Sequence, residues 1–105
     1  MSTVLWTAEA LAKLGAIDAY LTDHEHRPEL ANDIVAQIVD RAAQLAIAPE
    51  SGRVLPDYQY PVVRELLARP YRIIYQIEDD QCVVLTVMHY RQLLPDERTL
   101  RNSRA

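Results

Sequence analysis

The sequence predicts an α+β domain in which an antiparallel helical hairpin packs on a small, mainly antiparallel sheet, in the order β-α-α-β-β-β. Three observations predict it. Two apolar stripes at helical spacing occupy the first half. Runs of β-branched and aromatic residues crowd the second half. A turn-forming cluster, Pro49-Glu50-Ser51-Gly52, separates the two.

Val4-Leu5-Trp6 reads as a short opening strand. Thr7 suits a helix N-cap, since its hydroxyl can accept from a free amide of the first turn, and Glu9 suits the positive end of the helix dipole. The first helix should run over about Ala8–Leu21, with Ala10, Leu14, Ile17 and Leu21 on one stripe. Thr22–Arg27 is a polar connection. Pro28 lacks the amide that the first helical position leaves unpaired, so it opens the second helix. That helix should occupy about Arg27–Ala46, with Ala31, Val35, Ile38, Ala42 and Leu45 aligned. A short connection makes the two helices antiparallel neighbours.

Beyond Gly52, Arg53–Leu55 and Val62–Leu67 read as extended segments around a polar, Pro-bearing turn. Tyr71–Ile77 and Cys82–Met88 form a hairpin around Glu78-Asp79-Asp80-Gln81. Alternation puts Tyr71, Ile73, Tyr75 and Ile77 on one face and Arg72, Ile74, Gln76 and Glu78 on the other. On the second arm, Val83, Leu85, Val87, His89 and Arg91 should share a face. Val84, Thr86, Met88 and Tyr90 should share the opposite one. A two-residue turn at Asp79-Asp80 sets Arg72 opposite Val87, on the face of His89 and Arg91; a three-residue loop sets it with Tyr90. Asp-Asp is not a favoured turn pair, so both registers stay open. The tail, Leu93–Ala105, is charged and has room for a turn of helix after Pro95.

At 105 residues the chain is read as one domain, 1–105. No apolar run approaches the roughly 20 residues that span a bilayer, so no membrane association is expected. The N-terminus lacks the basic and apolar regions of a signal peptide. A single cysteine, Cys82, excludes an intramolecular disulfide and fits a reducing cytoplasm. The net charge is −4, unevenly spread. Residues 1–52 hold Lys13, Arg27 and Arg41 against eight acids, or −5; residues 53–105 hold eight arginines against seven acids, or +1. Strong direct nucleic-acid binding is not expected of such a balance, because it depends on many cationic phosphate contacts. No Gly-rich phosphate loop is present. His24-Glu25-His26 has no third partner at metal-ligand spacing and reads as a solvated loop, so neither metal nor cofactor is expected. Cys82 has no basic neighbour and reads as a lightly buried structural thiol. Trp6 reads as a residue packed on the hairpin.

Three stretches carry a resemblance. VLWTAEALAKL opens the chain as a strand followed by a helix. PESGRVLPDYQYPVVRELLARPYRIIYQIEDD contains a Pro–Gly-Arg, an Arg-Glu-Leu and a Tyr-Arg-Ile-Ile-Tyr element. LTVMHYRQLL closes the sheet with a histidine and a following arginine. Taken in order, they resemble the RelE/ParE family of toxins from bacterial type II toxin–antitoxin operons, over nearly the whole chain. The resemblance implies a sheet packed on a helical hairpin, and a ParD-like antitoxin partner encoded alongside. It also implies growth inhibition and plasmid stabilization by one of two routes. RelE-like members cut mRNA in the ribosomal A site with basic side chains and a general acid or base. ParE-like members lack most of that set and poison DNA gyrase.

If the chain is a ribonuclease, the resemblance assigns Arg72, His89, Tyr90 and Arg91 to the cleavage site. If it is a binding protein, Arg64, Arg72, His89 and Arg91 are the candidate contact residues and none is catalytic. A guanidinium stabilises charge on phosphate oxygens, and histidine titrates near neutral pH. The favoured reading is structural: Arg72 paired with Glu65 or Glu78 on the sheet surface, His89 closing a strand, and an Arg64-Glu65 ion pair fixing strand position. The second helix carries Glu29, Asp33 and Asp40 against Arg41, and no lysine follows Lys13. Both facts oppose docking on ribosomal RNA and favour the ParE-like branch, with DNA gyrase as target. A degenerate, non-toxic antitoxin-binding homologue is the remaining alternative. On the isolated domain an apolar groove is expected, covered in the complex by a flexible antitoxin segment.

Overall fold

The chain order in the computed structural model, which describes residues 2–59 and 62–104, is β1 (Thr3–Trp6), α1 (Ala8–Ala19), α2 (Pro28–Ala43), β2 (Arg53–Val54), β3 (Val63–Ala68), β4 (Tyr71–Glu78), β5 (Gln81–His89) and α3 (Glu97–Asn102). Of the expected turn before β3, Tyr60 and Pro61 lie outside the described residues, as do Met1 and Ala105. The five strands form one mixed sheet in the order β1-β5-β4-β3-β2. β1 runs parallel to β5, and the other pairings are antiparallel.

Thr7 starts α1 as its sequence position predicts: its hydroxyl accepts from the Ala10 amide at 3.1 Å. The α-helix ends at Ala19, earlier than the apolar stripe implies, and Tyr20–His24 continues as a wider π-helical turn. That turn still buries Leu21. Pro28 is the first residue of α2, and a 3₁₀ turn, Gln44–Ala46, extends the helix to the predicted end. The α3 turn after Pro95 starts at Asp96, whose carboxylate accepts from the Thr99 amide at 2.7 Å.

The sheet is covered on both faces. Toward α1 and α2 it presents Leu66, Ile73, Tyr75, Cys82, Val84 and Val87, which pack with Ala10, Ile38, Ala42 and Leu45. Its outer face presents Val63, Ile74, Val83, Leu85 and Met88, packed under Leu55, Tyr58 and Leu100. A cavity of about 110 Å³ remains under α3, between Tyr58, Gln76, Leu85 and Leu100.

The β4–β5 hairpin combines the two registers that the sequence leaves open. Its loop is the two-residue Asp79-Asp80, with Asp79 at φ 56, a left-handed conformation that aspartate tolerates better than most residues. Glu78 accordingly pairs with Gln81. Farther along, Ile74 pairs with Thr86 while Tyr75 pairs with Val84, leaving Leu85 as an extra residue. This is a β-bulge, and it shifts the phase of every later residue in β5. Arg72 therefore falls opposite Met88, and His89 opposite Tyr71. Val83 and Leu85 point to the outer face, whereas Val87 lies on the helix face. The predicted common face for Val83, Leu85, Val87 and His89 is thus broken at the bulge.

Candidate functional site

Strand β3 brings Glu65 beside β2 and, through Ile74, beside β4. Its carboxylate is 6% exposed and is held by two arginines. Arg53 donates from a terminal nitrogen at 2.6 Å and from Nε at 3.2 Å. Arg72 donates from Nε at 2.5 Å. Burial alone would raise the Glu65 pKa, but hydrogen bonds and charge from Arg72 and Arg53 outweigh it and hold the carboxyl below its ordinary range. Arg72, with only 13% of its side chain exposed, is part of this structural cluster; of the two partners expected from sequence it takes Glu65, while Glu78 pairs with Arg104.

His89, Tyr90 and Arg91 form the turn that ends β5. The His89 amide donates to the Gln92 side chain at 2.8 Å, and the Gln92 amide donates back to the His89 carbonyl at 2.9 Å. The Arg91 amide donates to Nδ1 of His89 at 3.1 Å, so the neutral ring carries its proton on Nε2. Nε2 is therefore the nitrogen free to meet a ligand, and it meets it as a donor. The Tyr90 ring stacks on His89 at 4.9 Å, and the Arg91 guanidinium lies 5.7 Å from the centre of the Tyr90 ring.

Register separates the two halves of this constellation. His89 shares a face with Tyr71 and meets its ring edge-on at 5.6 Å. Arg72 points to the other face. Of the two placements left open by the sequence, the meeting of Arg72 with His89 and Arg91 on one face does not occur. Arg72 and Tyr90 nevertheless line one groove of about 430 Å³, whose other walls are Glu65, Leu67, Arg69, Pro70 and Tyr71. Arg64 lies elsewhere: paired with Tyr75, it donates to the carbonyls of Gly52 at 2.9 Å and Glu50 at 3.2 Å. It secures the approach to β2 and does not form the expected ion pair with Glu65, whose carboxylate is taken by Arg53 and Arg72. Tyr75 closes the same corner, accepting from the Gly52 amide at 2.9 Å and donating to the Pro49 carbonyl at 2.8 Å.

Leu67, Arg69 and Tyr71 were not singled out in the sequence. Their signal is their placement on both sides of the tight β3–β4 turn, which gathers alternate side chains at one end of the sheet. Cys82 is fully buried, deeper than expected, and burial pushes its thiol pKa up. Trp6 packs against the helix-face core. Among the described residues no three His, Cys, Asp or Glu side chains are placed to hold a metal ion. No helix among them is long and apolar enough to cross a membrane.

A sequence profile described as "ParE toxin of type II toxin-antitoxin system, parDE" matches residues 4–94. The chain belongs to this toxin family. Among solved structures, this ParE-family toxin is similar to a chain of the chromosomal ParDE toxin–antitoxin system from P. aeruginosa. The two are 28% identical over 85% of this chain and 96% of that one, with a TM-score of 0.68. It is also similar to a chain of the RelBE2 toxin–antitoxin complex from Mycobacterium tuberculosis, at 25% identity over 84% and 96%, with a TM-score of 0.61. Comparison with curated proteins yields no match. The ParE-family segment ends at residue 94, so α3, which covers the outer sheet face, lies beyond it.

Proposed function

We propose that this toxin arrests growth by binding DNA gyrase and is neutralised by a cognate antitoxin encoded beside it. One observation carries the choice of target. A ribonuclease needs a cation at the scissile phosphate and a proton-transfer group beside it. Here Arg72 is turned into Glu65 and His89 is on the opposite sheet face. Two of the four residues that a cleavage site would use are thus kept on opposite faces of the sheet. The absence of lysine after Lys13 and the acidic α2 further disfavour a ribosomal RNA surface. The antitoxin part is supported by family membership and by the ParDE and RelBE2 assemblies to which the fold is similar.

The test is to add purified toxin to a gyrase supercoiling reaction and, separately, to map mRNA ends after induced expression. Loss of supercoiling or accumulation of DNA breaks, with intact mRNA, is the expected result. Codon-phased mRNA cuts that disappear in Arg72→Ala and His89→Ala, with gyrase unaffected, would overturn it. A ribosome-dependent endoribonuclease is the second reading, favoured by the groove in which Arg72 and Tyr90 meet.

A further inference from the structure

The geometry points to the groove between the β3–β4 turn and Tyr90 as the docking site for one acidic segment of the antitoxin: an apolar side chain seated against Tyr71 and Tyr90, flanked by carboxylates that meet Arg69 and Arg72. This inference rests on the toxin–antitoxin reading above and adds the surface and the chemistry of the segment.

The first support is shape and apolarity. Leu67 and Tyr90 are large apolar residues left 38% and 53% exposed, and they stand in the same groove of about 430 Å³. That space accepts one or two side chains of a peptide. The Tyr90 ring is already ordered by its stack on His89 and by the Arg91 guanidinium, so little of its freedom remains to be lost on binding.

Charge is the second support. Arg69 is exposed, and its side chain makes no hydrogen bond or ion pair among the described residues. Arg72 gives its Nε to Glu65, while its two terminal nitrogens make no hydrogen bond among the described residues. A planar guanidinium with open terminal nitrogens matches a carboxylate in a fork geometry. The excess of negative charge lies in the first half of the chain, whereas this groove is built from the second.

The same wall discriminates between anions. Glu65 places a buried carboxylate in the lining, held ionised by its arginines. A nucleic-acid backbone brings a phosphate at every step and cannot avoid that charge. A peptide spaces its carboxylates and puts an apolar side chain between them, which the Leu67, Tyr71 and Tyr90 surfaces favour.

The test measures the affinity of purified toxin for its antitoxin at low and high salt. Arg69→Glu and Tyr90→Ala should each weaken binding by about tenfold or more, the size of loss typical of a central interface residue. Arg69→Glu should also flatten the salt dependence. Arg27→Glu, on the interhelical connection, should bind as wild type. Arg69 makes no side-chain hydrogen bond or ion pair among the described residues, so thermal unfolding of Arg69→Glu should match wild type. Wild-type affinity in both groove variants would overturn the proposal and leave the toxin reading intact. So would variants that keep the antitoxin but lose gyrase inhibition, or a single-stranded RNA oligonucleotide whose binding disappears in Arg69→Glu. An antitoxin that fails to bind wild-type toxin would sink both readings together.

Discussion

The two faces of the sheet are covered by different means. The helix face is sealed by apolar side chains from two long helices, with Ile73, Tyr75 and Cys82 excluded from solvent. The outer face is sealed by a loop and the six-residue α3, and polar pins tie these down. Tyr58 donates to the Pro95 carbonyl at 2.6 Å, the Gln59 amide to Glu97 at 3.0 Å, and Arg104 to Glu78 at 2.7 Å. A helix of that length has little stability of its own, so its place depends on what it packs against and on those pins. Burial extent is similar on the two sides, but the penalty for losing a contact should not be.

The largest effect is expected from truncating each face in turn. Ile73→Ala should cost about 4 kcal/mol, because the helices above it cannot collapse into the void. Leu100→Ala should cost about 2 kcal/mol, because a short terminal helix can shift or fray to fill the space. Equal losses in urea unfolding would erase the distinction between the faces.

Gly52→Ala sharpens the comparison at the corner where β2 joins. An added Cβ would lie 2.5 Å from the Tyr75 hydroxyl oxygen and 2.8 Å from the Glu65 carbonyl oxygen. Tyr75 cannot withdraw from the helix-face core, so a loss of about 2 kcal/mol is expected in the same unfolding assay. Tyr75→Phe should not rescue it, since the ring carbon also stands within 2.6 Å.

Thr7→Val probes the bulge, where the two faces exchange residues. The Thr7 hydroxyl accepts from Ala10 and donates to the carbonyl of the bulged Leu85 at 3.0 Å. Losing a cap and a buried hydrogen bond together should cost about 1.5 kcal/mol. Hydrogen exchange should show the extra opening in α1 and in β5 near Leu85, and unchanged exchange there would contradict the dual role.

The smallest effect is pH-dependent. Glu65 has a folded pKa below its ordinary value of 4.5, so folding favours its ionised form. Its contribution is complete above the unfolded pKa and is lost as pH falls through the lower, folded one. Glu65→Gln should therefore be less stable than wild type at neutral pH by about 1 kcal/mol, and the gap should close on acidification. A gap that stays constant down to the acid transition would rule out Glu65 as its source.

Both helices, the strands and the hairpin ends were legible because each has a local cause: Thr7 and Pro28 start helices, stripes set their faces, and Gly52 ends the helical half. The bulge was not. From Cys82 to Met88 every residue of β5 is buried, because both faces of this strand are covered. A strand buried on both sides shows no polar alternation, so a one-residue phase shift leaves no mark in its hydropathy. Whether Arg72 shares a face with His89 or with Tyr90 depends on that shift, so the sequence leaves it open. The Arg72–Glu65 pair was legible because it lies within adjacent strands, whose pairing the bulge does not touch.

The central position of β5 also sets a schedule. A chain is synthesised from its N-terminus, and β1, both long helices and β2 to β4 all precede Gln81. Yet β1 and β4 both pair with β5. Until Gln81–Val84 has been made, β1 has no strand to pair with, and the helices lack part of their platform. The hydrogen bond from Thr7 to Leu85 joins residues 78 positions apart, and contacts that distant form slowly. A partner that recognises the folded groove at Tyr90 thus meets only chains extended past Arg91, and nascent toxin stays out of its reach.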